Sequence, residues 1–492
     1  MRYLLTTIVS FLLVNSVAGQ MEVQSLAPDT SVVTTHEVRV AGQRVPYRAT
    51  AGTQPVWDED GIIVAHLFFV YYERTDVEDQ ANRPLVFSFN GGPGSASVWM
   101  HIGYTGPKLV NIDDEGFPIQ PYGVSDNPNT ILDVADIVYI DPVNTGFSRI
   151  VGDADREQFF GVNEDIEYLA RWIDTFVSRN SRWTSPKFLI GESYGTTRVS
   201  GLAARLQNSH WMFLNGVVLV SPTGLGVDRD GPVAAALTLP YYAATAWFHD
   251  ALDAGLQARD LEDVLSEVEE FTVDNLIPVL ARGGSVSDGV REEAASAVAR
   301  YSGLSVDAVL DHSLRVPTSF FWKELLRDDG LTVGRLDSRY RGSDRINAGS
   351  RYDRDPALTA WNHSFTPAIN HYLRDVLNFN TELQYWIFGP VHPWNRDGDS
   401  TGDDLQGAMS ANPYLHLLVQ SGYYDGATDY FSAKYTMWNM DPAGRLQNRM
   451  RFEGYRSGHM MYLRTEDLGS SNDHIRQLIL DSVKASENAA RY

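Results

Sequence analysis

Apolar positions recur along this chain with two different periods, and the change from one to the other predicts its architecture. Alternating apolar and polar residues around 38–48 and 62–72 predict antiparallel strands, the second rich in Phe, Val and Tyr. From residue 84 onward the apolar runs become short and continuous. Residues 84–89 run into Asn90-Gly91-Gly92-Pro93-Gly94, and 135–140 run into Asp141-Pro142, as buried strands stopped by turn residues do. Between 164 and 177, Ile166, Leu169, Ala170, Ile173, Phe176 and Val177 fall at helical spacing and form one apolar stripe. A strand at 187–190, a small-residue helix through Gly201-Leu202-Ala203-Ala204 and a strand at 216–220 follow. Strands alternating with helices predict an α/β class chain with a mostly parallel central sheet and right-handed crossovers.

Residues from about 231 to about 367 are mainly helical in pattern, with acidic and Ala-rich segments, and strand patterns return at 415–420 and 450–453. This predicts a mainly helical cap, 231–375, inserted into one sheet domain formed by 20–230 and 376–492. A separate helical domain fits less well, because neither edge carries a Pro- or Ser-rich hinge. No repeat of fixed period is present.

Composition narrows the function. The chain has 492 residues, ample for a large core, and 63 acidic against 40 basic residues give a formal charge of −23, which argues against nucleic acid as a partner. It has no cysteine, which excludes disulfides, thiolate metal sites and a thiol nucleophile. Residues 1–19 read as a secretory signal peptide: Arg2, an apolar run over 4–14, then Ser16-Val17-Ala18-Gly19. A membrane anchor needs about 20 consecutive apolar residues, and Thr6, Thr7, Ser10 and Asn15 interrupt this run. The expected product is secreted or periplasmic, with no membrane partner.

Gly191-Glu192-Ser193-Tyr194-Gly195 matches G-x-S-x-G between a predicted strand and a predicted helix, the context in which a serine projects from a strained turn as a nucleophile. A serine hydroxyl needs a general base, itself oriented by a third group, and in this fold the order is Ser, acid, His. His459, in Ser457-Gly458-His459-Met460 just past a strand, suits the base better than His416 inside a strand or His474 in a C-terminal helix. Asp425, directly after the strand ending at Gln420, is preferred as the acid over Asp429. A tetrahedral oxyanion needs two N–H donors. One is expected from Tyr194, and the other from a glycine-rich early loop such as Asn90-Gly91-Gly92-Pro93-Gly94. None of this chemistry needs a metal or cofactor. The acidic stretch starting at Asp397 has Ala408 where a calcium loop requires Glu, and reads as a solvated loop.

Together with Asp141-Pro142-Val143-Asn144-Thr145-Gly146-Phe147-Ser148, these motifs resemble the serine carboxypeptidase family, peptidases of the α/β-hydrolase fold. The resemblance implies release of C-terminal residues from peptides with a free C-terminus. It also implies Gly92 and Tyr194 as oxyanion donors, and Asn90, Gly91 and Glu192 as binders of the substrate carboxylate. A Glu beside a substrate carboxylate must be protonated, which favours peptide acids at acidic pH. The family's second glutamate, two residues before a Gly-Pro pair, is here Tyr104, whose phenol can donate a hydrogen bond to Glu192 but cannot share an acidic proton in the same way. The Trp preceding the Asn-Gly-Gly run is replaced by Ser88-Phe89, and the family's cysteines are missing, as in a bacterial-type branch. The same machinery also serves an esterase or acyltransferase, and a silent binding or protective protein on this fold is the reading from a different class.

Overall fold

The computed structural model describes residues 25–484, so the segment 1–19 read as a signal lies outside the described residues. The chain opens with a hairpin of β1 (Thr30–Val40) and β2 (Gln43–Trp57), turned at Ala41 and Gly42 with φ of 47° and 80°. Two positive φ values in a two-residue loop match the twist of the strands they join. The alternation at 38–48 is therefore divided between two strands, because its period runs through the turn. β3 (Ile63–Arg74) pairs antiparallel with β2 and carries the short strand Arg149–Ile150 on its other side.

The buried runs form β4 (Leu85–Phe89), β5 (Asp136–Ile140), β6 (Lys187–Glu192), β7 (Gly216–Val220), β8 (His416–Gly422) and β9 (Met450–Tyr455). Their order is β1-β2-β3-β5-β4-β6-β7-β8-β9, antiparallel up to β5 and parallel from there on. This is the expected mostly parallel sheet flanked by helices.

The two-residue period of each strand sorts its side chains into two cores. Leu85, Phe87 and Phe89 of β4 face one cluster, together with Ile166, Leu169, Ile173 and Phe176 of α1 (Val162–Arg179) and Val199 and Leu202 of α2 (Tyr194–His210). Val86 faces the opposite cluster, with Trp361, Phe365 and Ile369 of α3 (Pro356–His371) and Ile475 and Ile479 of α4 (Thr465–Lys484). Helices between Pro232 and Glu324 gather a third cluster around Tyr241, Tyr242, Phe321 and Trp322, which also takes in Tyr424, Tyr430 and Phe431 from beyond β8. No helix of the described residues is long and apolar enough to cross a membrane.

Because β4, β6, β8 and β9 are parallel, the segments leaving their carboxyl ends emerge at one edge of the sheet, where α/β sheets bind ligands. Those segments carry Asn90, Ser193, Asp425 and His459.

Candidate active site

Ser193 links β6 directly to α2, with φ 58° and ψ −127°. A non-glycine residue in that region costs about 1–3 kcal/mol, and the surrounding structure must hold it there. Its backbone N–H donates to Val220 O of β7 (3.0 Å), and its carbonyl accepts from Thr196 N (2.9 Å). The flanking glycines leave the room the turn requires: a Cβ on Gly191 would lie 2.1 Å from Gly195 O.

The Asn90-Gly91-Gly92 loop rests against this elbow. A Cβ on Gly91 would stand 2.4 Å from Tyr194 N and 2.6 Å from Glu192 O, so only bare backbone fits. Tyr194 is the first residue of α2, and its N–H has no acceptor within the helix. Arg198, fully buried on α2, fixes the loop from behind, donating to Asn90 O (2.6 Å) while pairing with Asp165 of α1 (2.7 Å). Tyr168 ties the same Asp165 (2.8 Å) to Val143 N (3.2 Å) of the Asp141-Pro142-Val143 turn. Three motifs far apart in the chain are thus joined by one buried polar network.

His459 Nδ1 lies 2.7 Å from Asp425 Oδ2, both groups buried. Asp425 Oδ1 accepts from Ala427 N (2.8 Å) and Thr428 N (3.1 Å), and Thr428 Oγ1 donates to Oδ2 (2.8 Å). Burial pulls the His459 imidazole down, but the charge and hydrogen bond of Asp425 outweigh it, so its pKa is raised above the usual histidine value. Asp429 caps the helix after it, donated to by Ser432 N (2.8 Å), while His416 and His474 stand in β8 and α4, away from this cluster.

Ser193 and His459 line one cavity of about 400 Å³, with Asn90, Gly91, Gly92 and Glu192 in the same wall. Asp425 lies behind His459, and Tyr194 faces Gly91 through its backbone. The structure therefore brings all eight sequence-predicted residues together.

Glu192 is buried and lines this cavity. Burial pushes its carboxyl up to about 7, although the His459 charge and hydrogen bonds from Tyr462 and Asn90 act the other way. Asn90 Nδ2 donates to Oε1 (2.9 Å), and Tyr462 Oη donates to Oε2. The contact open to Tyr104 is not formed. Its hydroxyl donates instead to Gln420 Oε1 (2.7 Å), while its ring stacks on Tyr462 at 4.5 Å and 11°. The phenol that reaches Glu192 belongs to the residue stacked on Tyr104, a partner 270 residues away in the chain from Glu192.

Sequence reading also missed the supports of the histidine loop. Leu336 O accepts from His459 N (2.6 Å), and Asp337 Oδ2 accepts from Gly458 N (3.2 Å), which places the segment before α3 against the base. Nothing in residues 335–339 marks that contact. Thr428, three positions after Asp425, carries a readable signal, since Asp and Thr at that spacing form a local side-chain-to-backbone turn.

Comparison with known proteins bears on the family and the fold. Residues 42–258 match the family model described as serine carboxypeptidase. Among curated relatives, Serine carboxypeptidase-like 31 of Arabidopsis thaliana is 28% identical over 167 residues, 32% of this chain and 30% of that protein. Carboxypeptidase Y of Schizosaccharomyces pombe is 30% identical over 131 residues, 26% of this chain and 12% of that protein. The chain thus aligns with less than two thirds of the length of these relatives. The crystal structure of Kex1(delta)p, a prohormone-processing carboxypeptidase from Saccharomyces cerevisiae, superposes with a TM-score of 0.55 at 14% identity, covering 88% of this chain and 91% of that one, a likeness of fold. The chain therefore has the α/β-hydrolase fold, and its residues 42–258 match the serine carboxypeptidase family model.

Proposed function

We propose that this protein is an exported serine carboxypeptidase that releases C-terminal residues from peptides through an acyl-enzyme. In this reading His459 takes the proton of Ser193 as its oxygen bonds to the carbonyl carbon of the last peptide bond, and Asp425 holds the imidazolium that forms. The N–H groups of Gly92 and Tyr194 receive the oxyanion. As the C–N bond breaks, His459 gives its proton to the leaving amine. Water, deprotonated by His459, then attacks the ester carbonyl and regenerates Ser193. Asn90, Gly91 and protonated Glu192 hold the terminal carboxylate, and residues 231–375, apart from α3 which packs on the sheet, serve as a cap between the two core segments.

The observation that carries the reading is the carboxyl group of Glu192. It opens into the same cavity as Ser193, is raised to about 7 by burial, and so stays neutral in mild acid, when it can face a substrate carboxylate without repulsion. An esterase or acyltransferase is the second reading, favoured by the absence of another carboxyl group among the residues lining that cavity.

The test is hydrolysis of a blocked dipeptide acid and of its C-terminal amide, by the protein and by Ser193→Ala. Cleavage of the acid far above the amide, abolished in the variant, is expected. Equal cleavage of both overturns the exopeptidase reading, and turnover of esters alone supports the second one.

A further inference from the structure

Arg335 also lines this cavity, supplied by the segment that supports the histidine loop. Its backbone is clamped on both sides. Its carbonyl accepts from Gly426 N (2.9 Å), and Asp355, the N-cap of α3, accepts from Leu336 N (3.1 Å) and from Arg335's own N–H. The side chain meets the hydroxyl of Tyr352, and the Asp355 carboxylate acts on it from a longer distance. Among the described residues no carboxylate oxygen lies within 4.0 Å of its charged group, whereas Arg339 nearby pairs with both Asp337 and Glu115. The cavity lining holds one acid, Glu192, already engaged by Asn90 and Tyr462. In a chain with 63 acidic residues, a half-buried arginine beside the nucleophile with no carboxylate in direct contact is conspicuous. A partly desolvated cation gains most from a ligand that brings a carboxylate, through short, charge-assisted and often bidentate hydrogen bonds.

Its position says which part of a substrate it meets. The residue after Arg335 accepts the backbone N–H of His459, so Arg335 stands on the imidazole side of the nucleophile. That is the side from which the leaving amine receives its proton, and the leaving amine belongs to the C-terminal residue. The terminal carboxylate has its own site at Asn90, Gly91 and Glu192. The side chain of the same residue remains for Arg335. We infer that Arg335 is a specificity-determining residue that selects peptides ending in glutamate or aspartate. This rests on the carboxypeptidase reading above.

The experiment compares kcat/KM for blocked dipeptide acids ending in Glu, Gln, Leu or Lys, and for a second set with Glu or Gln in the penultimate place. It uses the wild-type protein, Arg335→Gln and Arg335→Lys. The quantity read is the Glu:Gln ratio, which a general loss of folded enzyme does not move. A ratio of about tenfold or more at the C-terminal position is expected for wild type, from one charge-assisted interaction. It should fall towards one in Arg335→Gln and be partly restored in Arg335→Lys. An unchanged ratio in Arg335→Gln overturns the inference, as does a preference lying only at the penultimate residue. Loss of discrimination between acid and amide in Arg335→Gln, with the Glu:Gln ratio intact, would instead make Arg335 a terminal-carboxylate anchor and also overturn it. Cleavage of the Leu peptide without preference for Glu sinks this inference alone. Failure of every peptide acid sinks the carboxypeptidase reading and this one with it.

Discussion

Glu192 accepts hydrogen bonds on both oxygens, from Asn90 and Tyr462, on a carboxyl group that burial resists charging. Below about 7 it is neutral and can donate to a substrate carboxylate; above that it is an anion and repels one. KM for a peptide acid is therefore expected to climb with pH above about 7 by roughly tenfold per unit, the rate at which the neutral fraction declines. The amide should show no such rise. Glu192→Gln donates at every pH, so its KM for the acid should stay flat across that range. A variant whose KM still climbs would locate the sensor elsewhere. His459 bounds activity from the other direction. The imidazole must be neutral to accept a proton from Ser193, and its pKa is raised, so kcat/KM for acid and amide alike should fall as pH drops through that value.

At the scale of elements, α1 and α2 do more than cover the sheet. Arg198 of α2 and Asp165 of α1 form a fully buried pair, and the guanidinium also holds the carbonyl of Asn90 in place beside the elbow. Removing one member strands the other charge, so Arg198→Met should lose about 3–5 kcal/mol, read from urea unfolding. The double variant Arg198→Met/Asp165→Leu should regain most of that stability, because an apolar pair of similar volume replaces the ions. It should not regain kcat, since Asn90 O remains without its donor. Recovery of both would make the pair purely structural. The gap between stability and kcat is what identifies a positioning role for Arg198.

For the molecule as a whole, a formal charge of −23 opposes the approach of an anionic peptide. The Debye length shrinks to about 10 Å at 0.1 M salt, so kcat/KM for a peptide acid with neutral side chains should rise as salt is added from low ionic strength. A lysine-rich peptide acid should show the opposite slope. Equal slopes for both would mean that the field at the cavity mouth is set by local groups such as Arg335 rather than by the overall charge.

The sequence by itself determined the parts of this protein whose physics is local. A strained turn needs glycine within a few residues, and a buried parallel strand is a short unbroken apolar run. Hence Gly191-Glu192-Ser193-Tyr194-Gly195, the Asn90-Gly91-Gly92 loop and the parallel strands were legible, as was His459 in its loop past a strand. The hairpin turn at Ala41-Gly42 was not, because alternation passes through it unchanged. Contacts between distant segments were decided only by the tertiary structure. Stacking with Tyr104 aims Tyr462 at Glu192, and packing of residues 335–337 against the His459 loop brings Arg335 to the cavity. No spacing encodes either outcome, since each depends on how side chains from remote segments fill one shared volume.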